Sequence, residues 1–102
     1  MFFFKKLPSI TTKELEEMLP KKPMIIDVRE PQEFSGGHIP TAKNIPLKKI
    51  NSYQTKEPVY IICQSGMRSK QAVKTLRAKG MDAVNVKGGM MSWAGKVRGG
   101  KL

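Results

Sequence analysis

Along this chain, short continuous apolar runs alternate with stretches in which apolar residues recur every three or four positions. Met24-Ile25-Ile26-Asp27-Val28 and Pro58-Val59-Tyr60-Ile61-Ile62 are nearly unbroken apolar runs of strand length, the mark of strands covered on both faces. Asp82-Ala83-Val84-Asn85-Val86 predicts a further strand, and Ala42-Lys43-Asn44-Ile45-Pro46 a short one. Between these runs the period lengthens. Thr11 and Glu14 have the spacing of a capping box, and Leu15, Met18 and Leu19 follow at helical spacing, with a stop expected before Pro20. Pro31-Gln32-Glu33-Phe34 suits a first helical turn with proline at N1, closed by Gly36-Gly37. Leu47 to Ile50 predicts a helical turn. Ala72, Val73 and Leu76 predict a helix over 69–79, ended by Gly80, with Lys74, Arg77 and Lys79 near its negative end. Gly88-Gly89 then leads into a last short segment, with Met90 and Met91 read as packing and Trp93 as a core anchor. The phenylalanines at 2–4 read as a first strand or a docked terminus, and the basic, Gly-rich tail after Ala94 as a frayed end.

Buried strands alternating with helices predict an α/β fold, a parallel sheet with helices on both faces. Sites in such sheets lie beyond the carboxyl ends of the strands. Cys63 falls at that end of the clearest strand, and Asp27 at that end of another. The 102 residues fit one domain, with a core over about 9–95 and the tail 96–102. One Cys and one His cannot assemble a disulfide or a zinc ligand set, so neither metal nor cofactor is expected. No apolar run approaches membrane-spanning length. The opening Met1-Phe2-Phe3-Phe4-Lys5-Lys6 is apolar and then basic, the reverse of a secretory signal. A soluble cytoplasmic protein is expected, and a free thiol suits a reducing compartment.

Charge changes the picture. The net charge is +11, and residues 67–102 hold Lys or Arg at 68, 70, 74, 77, 79, 87, 96, 98 and 101 against one acid, Asp82. A field of that sign attracts small anions and acidic protein partners. It would also attract nucleic acid non-specifically, but no nucleic-acid motif accompanies it.

The candidate chemistry follows the strand that ends at Ile62. Cys63-Gln64-Ser65-Gly66-Met67-Arg68-Ser69 places a thiol where a strand gives way to a helix. Gly66 lets the backbone curl, so that the N–H groups of residues 64–69 converge as an anion-binding nest. Arg68 turned inward would add a fixed positive charge, and Ser65 and Ser69 would add hydroxyl donors. No acid lies between Cys63 and Lys79 to oppose a thiolate, the reactive form of cysteine. Cys63 is therefore read as a nucleophile that needs no base, with Met67 exposed or half-exposed in its loop. A Cys-His pair is the competing scheme, but His38, in a Gly-Gly-His-Ile-Pro turn, is read as structural. Asp27 is read as supporting architecture, capping a turn or pairing with an arginine. Arg29 either reaches the pocket mouth or pairs with Glu30 or Glu33.

Four segments together resemble the rhodanese-like family of single-domain bacterial sulfurtransferases. They are Asp27-Val28-Arg29-Glu30 with Glu33-Phe34 and Gly37-His38-Ile39-Pro40; Ala42 with Asn44-Ile45-Pro46; the loop Cys63 to Ser69; and Lys87-Gly88-Gly89 with Trp93. One departure is Thr41, where the family often has glycine, which predicts a slightly different turn. The resemblance implies a five-stranded parallel sheet. It also implies a cysteine that takes a sulfane sulfur from thiosulfate or a persulfide donor and passes it to a thiophilic acceptor. Four residues separate Cys63 from Arg68; related phosphatases and arsenate reductases have five, so the shorter loop argues for sulfur over a tetrahedral oxyanion. Arsenate reduction would also want a resolving thiol, and no second cysteine is present. The alternative kept beside the enzyme is a sulfur-carrier or interaction module that docks an acidic protein through the basic 67–102 region.

Overall fold

The computed structural model describes residues 7–100. Five parallel strands form one sheet: β1 Ser9–Thr11, β2 Met24–Asp27, β3 Lys43–Asn44, β4 Val59–Ile62 and β5 Ala83–Lys87, in spatial order β1-β5-β4-β2-β3. Three α-helices, α1 Thr12–Met18, α2 Pro31–Ser35 and α3 Met67–Ala78, lie among the strands together with 3-10 turns. The sheet separates two apolar cores. On one face Ala72, Val73 and Leu76 of α3 and Ile50 pack on Ile26, Val59, Ile61 and Ala83. On the other, Leu15 of α1 packs with Ile25, Ile39, Ile62 and Val86. Alternate residues of β2 and β4 thus serve opposite cores, which is why both strands read as unbroken apolar runs. Among the described residues, no helix is long and apolar enough to cross a membrane.

The expected strands and helices are present, with differences at their edges. Thr11 caps α1 as a capping box, accepting from Glu14 N–H while the Glu14 carboxylate accepts from Thr11 N–H. Helix α1 ends at Met18, before Pro20 as expected, and the chain continues as a 3-10 turn, Leu19–Lys21, which tolerates proline in its first turn. The first observed strand is Ser9–Thr11, three residues with no periodicity to announce it; the strand or docked terminus expected at Phe2–Phe4 lies outside the described residues. Helix α3 starts at Met67, not Ser69, because Gly66 at φ +105° turns the chain straight from the cysteine loop into the helix.

The described part of the tail departs from expectation and is not frayed: His38 and Arg98 exchange both backbone hydrogen bonds, and Gly100 N–H donates to Ser35 O. Backbone pairing overrides the glycine-rich composition there. Thr41 holds φ +77°, a left-handed conformation that strains a β-branched residue in its turn.

Candidate active site

Strand β4 delivers Cys63 to the carboxyl edge of the sheet, beside Asp27, whose register partner on β4 is Ile62. Cys63 is 1% exposed, yet its sulfur faces polar donors. Gly66 N–H donates to Sγ at 3.0 Å, and Ser69 Oγ lies 3.4 Å from it. Burial pushes the thiol up. The Ser69 hydroxyl and the backbone N–H groups of Ser69, Gly66 and Ser65 pull harder the other way, leaving it below the ordinary thiol range. Ser69, fully buried in the first turn of α3, is the side chain with the largest downward effect. Gln64 and Ser65 are exposed, and Met67 is 72% exposed, as expected.

Arg68 pairs with a carboxylate rather than hydrogen-bonding the sulfur. Its two terminal nitrogens make a forked pair with Glu33 of α2, at 2.7 and 2.9 Å. Hydrogen bonding from Arg68 holds the Glu33 carboxyl down at about 2, and the same pair raises Arg68. Neutralised this way, the guanidinium ties α3 to α2. The thiolate is favoured mainly by hydroxyl and amide dipoles. The guanidinium is thus paired with Glu33 rather than turned onto the sulfur, while the charge of the Cys63 thiolate still helps to raise Arg68.

Behind the loop is a second polar unit. The buried Asp27 carboxylate takes hydrogen bonds from Arg29 N–H at 3.0 Å and from Arg29 Nε and Nη2, the latter at 2.9 Å. Arg29, expected at the pocket mouth or on Glu30 or Glu33, is 4% exposed and pairs with Asp27 instead. A planar fork two residues away meets the carboxylate on its own strand end, where neither glutamate reaches. The Arg29 guanidinium also donates to Gln64 Oε1 at 3.3 Å and to Gly37 O at 2.7 Å. Asn44 Nδ2 donates to the carbonyls of Asp27 and Arg29. Asp27 and Arg29 thus fasten the His38 turn, β3 and the root of the cysteine loop to one another. His38 is a member of that turn: its ring stacks on Phe34 with centroids 3.6 Å apart, and Nδ1 lies 2.7 Å from Phe34 O.

The sequence reading missed two supports. Glu33, seen there only as an alternative partner for Arg29, is the partner of Arg68. The Gly88-Gly89 turn buttresses the cysteine loop from outside. Met90 N–H donates to Cys63 O at 2.8 Å and Met91 N–H to Gln64 O at 3.0 Å. Gly89, at φ +59°, packs so closely that a Cβ there would lie 2.5 Å from Cys63 O. The signal was the Gly-Gly pair itself, whose close approach only the folded chain reveals. Met91, read as packing, is 69% exposed, because its backbone is what holds the loop. Trp93 is half-buried against the α1 core and donates from Nε1 to Lys96 O. Among the described residues, no three potential ligands cluster as a metal site.

Comparison with known proteins agrees with this arrangement. Residues 11–96 match the model of the rhodanese-like domain. A Bacillus subtilis protein named "Putative sulfurtransferase YtwF" is 35% identical over 99 residues, covering 91% of this chain and 96% of its own. Another from B. subtilis, "Putative sulfur carrier protein YrkF", is 43% identical over 77 residues, 71% of this chain but only 42% of YrkF. The crystal structure of a rhodanese-like domain protein from Staphylococcus aureus superposes with a TM-score of 0.83 at 42% identity, covering 93% of this chain and all of that one. With its parallel sheet, its cysteine loop at the edge of β4 and its buttressing glycine turn, this chain belongs to the rhodanese-like domain family.

Proposed function

We propose that this chain is a sulfurtransferase that carries a sulfane sulfur on Cys63. The observation that carries the reading is the Cys63 sulfur facing Gly66 N–H and the Ser69 hydroxyl, in a loop with four residues between Cys63 and Arg68. The thiolate attacks the outer sulfur of thiosulfate or of a persulfide. The donor's S–S bond breaks, and sulfite or the donor thiolate leaves with the bonding pair. Cys63 is left as a persulfide. A thiophilic acceptor, cyanide or a protein thiolate, then attacks the terminal sulfur, and Cys63 leaves as thiolate. The loop amides are placed to stabilise negative charge at both steps. Because Cys63 is buried, the exposed Gln64 and Ser65 must yield enough to admit one sulfur atom. Intact mass after incubation with thiosulfate tests this reading. A gain of one sulfur atom is expected, absent in Cys63→Ser, together with loss of thiocyanate release from cyanide. No adduct at Cys63, with thiocyanate release retained in Cys63→Ser, would end it.

A second reading, a sulfur carrier that exchanges with an acidic protein, is favoured by one feature. Exposed Met67 and Met91 flank the loop, one in the first turn of α3 and one in the buttressing turn. Adaptable apolar side chains beside a basic helix suit a protein surface better than a small anion. Slow turnover of thiosulfate with rapid exchange to a persulfidated protein would favour the carrier. Hydrolysis of p-nitrophenyl phosphate dependent on Cys63 would instead revive the phosphatase alternative.

A further inference from the structure

Asn85 stands in the middle of β5 on the face covered by α3, where its neighbour two residues back, Ala83, belongs to the apolar core. It is 1% exposed, and among the described residues its Oδ1 is the buried side-chain oxygen or nitrogen without a hydrogen-bond partner. A buried amide oxygen left without a donor carries its desolvation cost uncompensated. Asn85 forms part of the wall of a cavity of about 410 Å³, with Leu7, Ser9, Lys70, Lys74 and Lys87. That volume is in the range of small-molecule sites. No member of the Cys63–Ser69 loop lines it.

The cations that line it come from two elements, α3 and β5. Lys70 and Lys74 are one helical turn apart and share a face of α3. Lys87 lies two residues beyond Asn85 and so on the same side of β5. None of the three makes an ion pair with another described residue, whereas Arg29, Lys48, Arg68 and Arg77 all do. The carboxylate on which Lys87 acts, Glu14, is already the capping partner of Thr11.

The geometry points to a second binding site in this cavity, for a small phosphorylated molecule that also carries a hydroxyl or amine. The three ammonium groups receive the phosphate, and Asn85 Oδ1 accepts the hydrogen bond from the hydroxyl or amine. Lysine serves as a point charge for phosphate. A bare sulfur oxyanion such as thiosulfate offers no donor and would leave the Asn85 oxygen unpaired, which separates this site from the chemistry at Cys63. Leu7 supplies an apolar wall for the rest of the ligand.

Calorimetric titration of the full chain at low salt tests the proposal, with ribose 5-phosphate, inorganic phosphate and ribose as probes. Ribose 5-phosphate is expected to bind at least about tenfold more tightly than either of the others. The double substitution Lys70→Ala with Lys74→Ala removes that binding. Asn85→Leu raises the melting temperature and abolishes the preference over inorganic phosphate. Cys63→Ser binds as the parent does, so this result stands or falls apart from sulfur transfer. Absence of binding at millimolar ribose 5-phosphate, equal affinity for inorganic phosphate, or undiminished binding in the lysine pair variant overturns it. Should Asn85→Leu not fold, the lysine pair decides alone.

Discussion

Cys63 and Asp27 occupy equivalent places, each at the carboxyl edge of a neighbouring strand and each buried. They are held in opposite ways. Asp27 is met by a full opposite charge, the forked Arg29 guanidinium, and nearly every polar atom around it is engaged. The Cys63 sulfur faces one hydroxyl and a set of backbone N–H groups, while the nearest guanidinium in its loop is bound to Glu33. Dipoles favour the charged form of a group without sealing it in an ion pair. Position at the strand ends is therefore common to both, and charge compensation is what divides the proposed nucleophile from the carboxylate that fastens the strand ends.

The sharpest way to break this contrast is Asp27→Ala, which leaves Arg29 buried without its partner. Loss of about 3–5 kcal/mol in urea denaturation is expected. A cost below about 1 kcal/mol, with sulfur transfer abolished in a folded protein, would move Asp27 to the chemistry. Next in size is Ser69→Ala. Losing a hydrogen bond to a charged group costs about 1.5 kcal/mol where Cys63 is ionised, and the pH profile of alkylation by iodoacetamide moves to higher pH. Because the folded thiol titrates below the unfolded one, its ionisation contributes stability above the unfolded value. That contribution is lost as pH falls through the folded value. An unmoved profile would show that the hydroxyl does not tune the sulfur.

Glu33→Gln asks whether Arg68 turns to the sulfur once released. The pair is about a third exposed, so solvent screening limits its value to about 1 kcal/mol. With Glu33 held down to about 2 from 4.5, the difference from the variant is full above pH 4.5 and disappears as pH falls toward 2. Chemical denaturation across pH 2–6 checks this, and faster alkylation in the variant would mean that the freed guanidinium adds to the dipoles. The smallest effect is Thr41→Gly in the turn between His38 and Asn44. Relief of the left-handed strain is expected to stabilise by about 0.5–1 kcal/mol, with no change in thiol reactivity if that side of the molecule is architecture alone. Thermal melting and an alkylation assay together decide.

Local pattern was enough for most of the architecture. The doubly buried runs at Met24–Val28 and Val59–Ile62, the Thr11–Glu14 capping box and the step from Cys63 through Gly66 into a helix are all short-range features, and each forms within two residues of where the sequence indicates. The nucleophile candidate and its loop were legible for the same reason, since strand, thiol, glycine and helix follow one another directly. What needed the folded chain were pairings across long separations. Strand β1 exists only because β5 lies beside it. Residues 98–100 are held only because the segment around His38 offers them backbone partners. Arg68 finds Glu33 rather than the sulfur, Gly89 presses on Cys63 O, and Lys70, Lys74, Lys87 and Asn85 come to line one cavity. Periodicity and capping are carried by neighbours in the chain, whereas the partner of a charge or the contact of a glycine depends on which elements packing brings together.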